Sequence, residues 1–189
     1  MHRKFKYAGW SFVTILSATI ALISIALSSR ADDSKPVAAS GDSDAAPIAN
    51  ELAAQFNRAA DAALRDMKQE AEKRKMSGAA VVALIPGAKT SAWTSRMQAV
   101  GSIVVNKSNV LGVAYTKAAE MADTLQNSGG GSRPPYKGEF GYKGGVIEKQ
   151  PFGYLLAVFS GGKSEDDVAV AQIGLAKLAK VIEAEAEGK

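Results

Sequence analysis

Eleven consecutive residues, Arg133-Pro134-Pro135-Tyr136-Lys137-Gly138-Glu139-Phe140-Gly141-Tyr142-Lys143, hold two phenols, three cations and one further aromatic ring. A phenolate oxygen can ligate ferric iron, cations can pair with carboxylates, and glycines let a backbone approach a flat molecule closely. These chemistries make Arg133, Tyr136, Lys137, Tyr142 and Lys143 candidate ligand contacts. The plainer alternative is an exposed loop that packs Tyr136 and Phe140 on a helix or a neighbouring subunit.

The other chemistry-bearing residues narrow the choice. The only histidine is His2, and cysteine is absent. A histidine zinc site and a Ser-His-Asp hydrolase therefore have no ligands or base to build from. Met97 and Met121 could offer thioethers, but methionine at strand and helix spacing reads first as core. Tyr115 falls on the apolar face of a helix and is carried as a further ligand contact. Asp166-Asp167 suits a hard metal ion, yet the start of a helix explains both carboxylates. Gly129-Gly130-Gly131 lacks the Gly-Lys-Ser/Thr that would make it a phosphate loop. Glu139 is the one acid in the central loop, and no nucleophile–base pair is visible, so no catalysis is expected.

These residues sit in a chain of 189, 47% hydrophobic and 22% charged, which suits one compact domain with tails. Of its 23 basic residues four (Arg3, Lys4, Lys6, Arg30) fall in residues 1–31, where no acidic residue occurs. The rest balances at 19 basic and 19 acidic, so a general attraction to nucleic acid is excluded. Residues 1–31 combine a basic start, an apolar run from Trp10 to Leu27 and a small-residue exit. That is the make-up of a secretory signal cleaved after Ala31 or Ser28, and it implies a periplasmic or secreted protein. The run is eighteen residues long, nearly enough for an uncleaved anchor, but Ser11, Thr14, Ser17, Thr19 and Ser24 dilute it.

Residues 32–47 (Asp, Ser, Ala and Pro) read as a flexible linker, and the folded domain as 48–189. Ile48, Leu52, Phe56, Ala60, Leu64, Met67 and Ala71 recur at helical spacing, which predicts a long first helix ending near Lys75–Gly78. Ala79–Ile85 predicts a strand buried on both faces, closed by Pro86-Gly87. A second strand is expected within Thr90–Val100, with Trp93, Met97 and Val100 available for packing. Ser108 or Asn109 caps a helix running to about Asn127. Tyr142–Ile147 and Gly153–Phe159 predict two strands about a turn. Ser164 then opens the last helix as N-cap with Asp167 three residues on; its apolar positions include Val168, Ile173, Leu178 and Ile182. The element order predicts a largely antiparallel sheet covered by helices.

Three segments together, Gly144-Gly145-Val146-Ile147, Gly153 to Gly162 (GYLLAVFSGG) and Asp166 to Ala171 (DDVAVA), resemble the GlcG/HbpS family. The helix bearing Lys117-Ala118-Ala119 is similar to that family's Lys-Ala-x-x-Ala helix. The resemblance runs from Ile48 to Glu183. It implies a profilin-like α/β/α sandwich that assembles with copies of itself and binds haem. The chain departs from that family's His-ligated members, since residues 32–189 hold no histidine; the iron ligand would instead be Tyr136 or Tyr142, in a site involving the second helix and the Arg133–Lys143 loop. A haem-degrading enzyme and a non-haem accessory or small-ligand-binding protein are the alternatives.

Overall fold

The structure, a computed structural model, describes residues 45–187. The expected signal segment and most of the expected linker lie outside them. Helix α1 (Ala45–Lys73) begins three residues ahead of the apolar stripe, and Pro47 falls in its first turn. Proline is tolerated there because the first-turn N–H groups have no partner within the helix. The helix stops with Lys75 in the left-handed region (φ 57°). The Met76 N–H then bonds the Ala71 carbonyl and the Lys75 N–H the Glu72 carbonyl, which satisfies the last turn.

Strands β1 (Gly78–Pro86), β2 (Thr94–Val100), β5 (Gly145–Gln150) and β6 (Gly153–Ser160) form one antiparallel sheet in the order β2-β1-β6-β5. A two-rung hairpin, β3 (Val104–Val105) with β4 (Ser108–Asn109), occupies the ambiguous stretch before helix α2 (Val110–Thr124). Asn109 caps α2, its side-chain oxygen accepting from the N–H groups of Leu111 and Gly112. Left-handed Leu125 ends α2 short of Asn127. The last element is α3 (Ser164–Glu187).

Two apolar clusters make the three layers. Ala80, Val82, Leu84, Leu155, Ala157 and Phe159 face α1 and α3, where they meet Phe56, Met67, Leu175 and Leu178. Ala79, Val81, Ala83, Ile85, Leu156 and Val158 face α2 and meet Val110, Ala114, Ala118 and Met121. Central β1 is thus buried on both faces, as its continuous apolar run requires. The result is a mixed α+β fold of the profilin-like sandwich kind.

Four expectations need correction. Trp93 precedes β2, and both it and Met97 are exposed. The reason is position: β2 is the sheet edge, and the α2 cluster takes residues from β1 and β6 but none from β2. Ile173 is also exposed, on the outer side of α3. Tyr142 stands before β5 rather than in it. Ser164 is the first helical residue rather than the cap, and Asp167 reaches back past it to the Gly162 N–H.

Candidate functional site

α2 carries a buried stripe at 110, 114, 117, 118 and 121, and one member of that stripe is a lysine. The Lys117 side chain is 3% exposed and the Asp167 side chain opposite it 4%. Lys117 Nζ donates to Asp167 Oδ2 at 2.8 Å and to the Phe159 carbonyl at 2.9 Å. Asp167 Oδ1 accepts from the Gly162 N–H at 2.8 Å. The pair ties α2, from one face of the sheet, to the start of α3, which packs on the other, at the end of β6. Burial pushes the Lys117 ammonium below its ordinary pKa and the Asp167 carboxyl above its own, each opposed by attraction to the other.

Gly144 leaves room for this crossing. A Cβ there would lie 2.4 Å from Lys117 Nζ and 2.8 Å from the Phe159 carbonyl oxygen, and its φ of 133° suits glycine.

A cleft of about 180 Å³ opens over the pair. Its walls include Asn106 and Ser108 from the hairpin, Ser160, Gly162 and Ser164 around the α3 start, and Tyr142 and Lys143 from the central loop. Two of the three Lys117 ammonium hydrogens are spent on Asp167 and Phe159, which leaves one for a cleft ligand. The lining is mixed, with Val105, Val110 and Val113 among the hydroxyl and amide groups, and Lys143 adds a cation able to pair with an acidic group.

The residues expected from sequence divide among three places. Tyr142 and Lys143 reach the cleft. Tyr142 also stacks on Phe140 (centroids 5.3 Å, interplanar 15°), and both rings are half exposed at 53% and 52%. Arg133 holds its own loop together: it donates to Glu139 at 2.6 and 2.9 Å and to Asp123, and lies 3.8 Å over the Tyr136 ring. Arg133, Tyr136 and Lys137 do not line the cleft, and Tyr136 is turned to solvent. Tyr115 meets Trp93 edge-to-face at 6.3 Å, with its hydroxyl 3.4 Å from Ser95, away from the cleft. Met121 is core, Asp166 pairs with Arg74 at the surface, and no cluster of three metal-ligating side chains occurs among the described residues.

Sequence reasoning took Lys117 only as part of a motif and Asp167 only as a helix-start residue. The signal that could have found them is a lysine within an apolar helical stripe, since lysine is almost never fully buried unless paired.

The Arg133 guanidinium, with the Tyr136 N–H at 2.8 Å, holds the Glu139 carboxyl at about 2, below its ordinary 4.5. A carboxyl depressed on folding contributes stability above its unfolded pKa and loses it as pH falls through the folded value. The loop should therefore keep its order from neutral pH past 4.5 and loosen towards pH 2. A carboxyl-carbon NMR titration of Glu139 with a midpoint near 4.5 would contradict this.

No family model and no curated protein matches the sequence. Among solved structures, this chain is similar to a Klebsiella pneumoniae protein described as ORFY, family model DUF336. The identity is 15% and the TM-score 0.44, over 65% of this chain and 88% of that one. At those values the likeness assigns no family. Among the described residues no helix is long and apolar enough to cross a membrane.

Proposed function

We propose that this is an exported binding protein of the GlcG/HbpS type that holds a flat tetrapyrrole, haem, at the mouth of the Lys117–Asp167 cleft. The observation that carries the reading is the Phe140–Tyr142 stack, two parallel half-exposed rings beside Lys143 on the cleft rim. An aromatic plate accepts the face of a macrocycle, and cations pair with acidic substituents at its edge. At about 180 Å³ the cleft is below the roughly 300–1,000 Å³ of sites that enclose a ligand, so the ring would lie across it and not within it. The donors fit such a surface site. Tyr142 offers a phenol oxygen in a described region without histidine, and Lys143 offers a cation. Bound iron would supply redox chemistry; the protein's own groups bind and orient.

The small, cation-bearing cleft favours a second reading, a small acidic ligand held there without haem. A hemin titration followed by Soret absorbance separates the two. It would use protein from the periplasmic fraction, processed to begin near Asp32. Haem binding predicts a saturable, stoichiometric shift that survives desalting. Tyr142→Phe should move the band, and Lys143→Glu should weaken affinity roughly tenfold. Only unsaturable binding that washes away would sink the haem reading and leave the small ligand.

A further inference from the structure

The four-stranded sheet has two edges, and they are finished differently. On β5, Ser128 Oγ accepts from the outward Gly145 N–H at 2.9 Å and Asn127 Oδ1 from the outward Ile147 N–H at 3.0 Å. The chain itself thus covers that edge at its Gly145–Ile147 end. The ladder alternates, and the Phe159 N–H on the Gly144 carbonyl sets its phase. Carried through β6 and β1, the alternation turns the N–H and C=O of Ser95, Met97 and Ala99 outward on β2. None of these backbone groups has a hydrogen-bond partner among the described residues. The face above them is bare as well, with Met97 37% and Trp93 36% exposed. An open edge beside exposed apolar side chains is a template for another strand.

We propose that β2 pairs antiparallel with β2 of a second copy, about a two-fold axis at Met97, joining two sheets of four strands into one of eight. The strand suits itself. That register sets Thr94 opposite the second copy's Val100, Ser95 opposite its Ala99, and Arg96 opposite its Gln98. Arg96 is the only charged residue of β2, so no like charges face each other. Arg96 is in addition neutralised by Asp61 at 2.6 Å. Met97 meets its own counterpart, where the two exchange both backbone hydrogen bonds and cover their thioethers. A two-fold pairing uses up both β2 edges, and the capped Gly145–Ile147 end of β5 disfavours further growth into a fibre. The inference is independent of the haem reading, since it uses no residue of the cleft.

The 189-residue sequence has no cysteine, so a thiol introduced at position 97 is the only one in it. Residues exchanging hydrogen bonds across antiparallel strands stand about 5.5 Å apart at Cα, within the span of a disulfide. Met97→Cys is expected to yield a covalent dimer on mild oxidation. Lys149→Cys, exposed on the opposite β5 edge and away from the proposed two-fold axis, should stay unlinked over the same time. The unmodified chain should sediment as a dimer, and Met97→Lys, which opposes two ammonium groups, as a monomer. Linking at Lys149→Cys as fast as at Met97→Cys, or an unmodified chain that does not sediment as a dimer, overturns the proposal.

Discussion

Asp167→Ala is expected to destabilise the protein by about 3–5 kcal/mol, seen as a lower urea midpoint at unchanged slope. The truncation leaves the Lys117 ammonium more than nine-tenths buried with only the Phe159 carbonyl for company. It also strips the Gly162 N–H of its acceptor. Against a whole-domain stability of roughly 5–15 kcal/mol, that loss is large. Most of the damage is the stranded charge and not the lost attraction, because burial had already offset much of the Coulomb gain. Removing both charges should therefore cost much less than removing one. Lys117→Met with Asp167→Leu is expected to recover most of the stability of the single variant. If Asp167→Ala costs under about 1 kcal/mol, the pair contributes no more than an exposed ion pair such as Arg96–Asp61, and the fastening role fails.

Gly144→Ala should be comparably severe, about 3–5 kcal/mol or no recoverable fold, for a different physical reason. The new methyl carbon would fall 2.4 Å from Lys117 Nζ, 2.8 Å from Asp167 Cβ and 2.8 Å from a backbone oxygen. The ammonium cannot step aside without leaving both of its acceptors, so the steric clash becomes the loss of a buried charge pair. The φ of 133° adds backbone strain of order 1–3 kcal/mol. Gly131→Ala provides the comparison. It too has a positive φ (75°) but nothing within 4 Å of the added carbon, so only the roughly 1–2 kcal/mol conformational cost remains. Equal urea midpoints for the two variants would show that the space at Gly144, and hence the crossing it permits, does not matter.

Both predictions concern residues whose importance is not local in sequence, and this separates what could be read from what could not. α1, β1, β6 and α3 were legible because their patterns report burial directly. A stripe at three- and four-residue spacing marks one helix face, and the continuous run Ala79–Ile85 marks a strand covered on both sides. Asn109 was legible as a cap because its side chain bonds residues only two and three positions ahead. β2 was half legible. Its β character was readable, but whether Met97 points to core or solvent depends on which strands α2 covers. Ile173 failed likewise, since α3 has more apolar residues than its contact face can bury.

The candidate site was less legible than the fold. Of the Arg133–Lys143 run singled out for its chemistry, only Tyr142 and Lys143 reach the cleft. Arg133 turns back on Glu139 because that carboxylate, six positions on in the same loop, lies within bidentate reach of the guanidinium. Composition by itself thus determined a cysteine-free chain whose charges balance beyond residue 31, and periodicity and element order determined most of its α+β elements. Only the tertiary structure decided that Lys117 and Asp167, fifty positions apart, share one buried hydrogen bond, that Gly144 must be small beside them, and that β2 is left as an open edge. Periodicity encodes how each residue stands to water, whereas these pairings depend on how separate elements stand to one another.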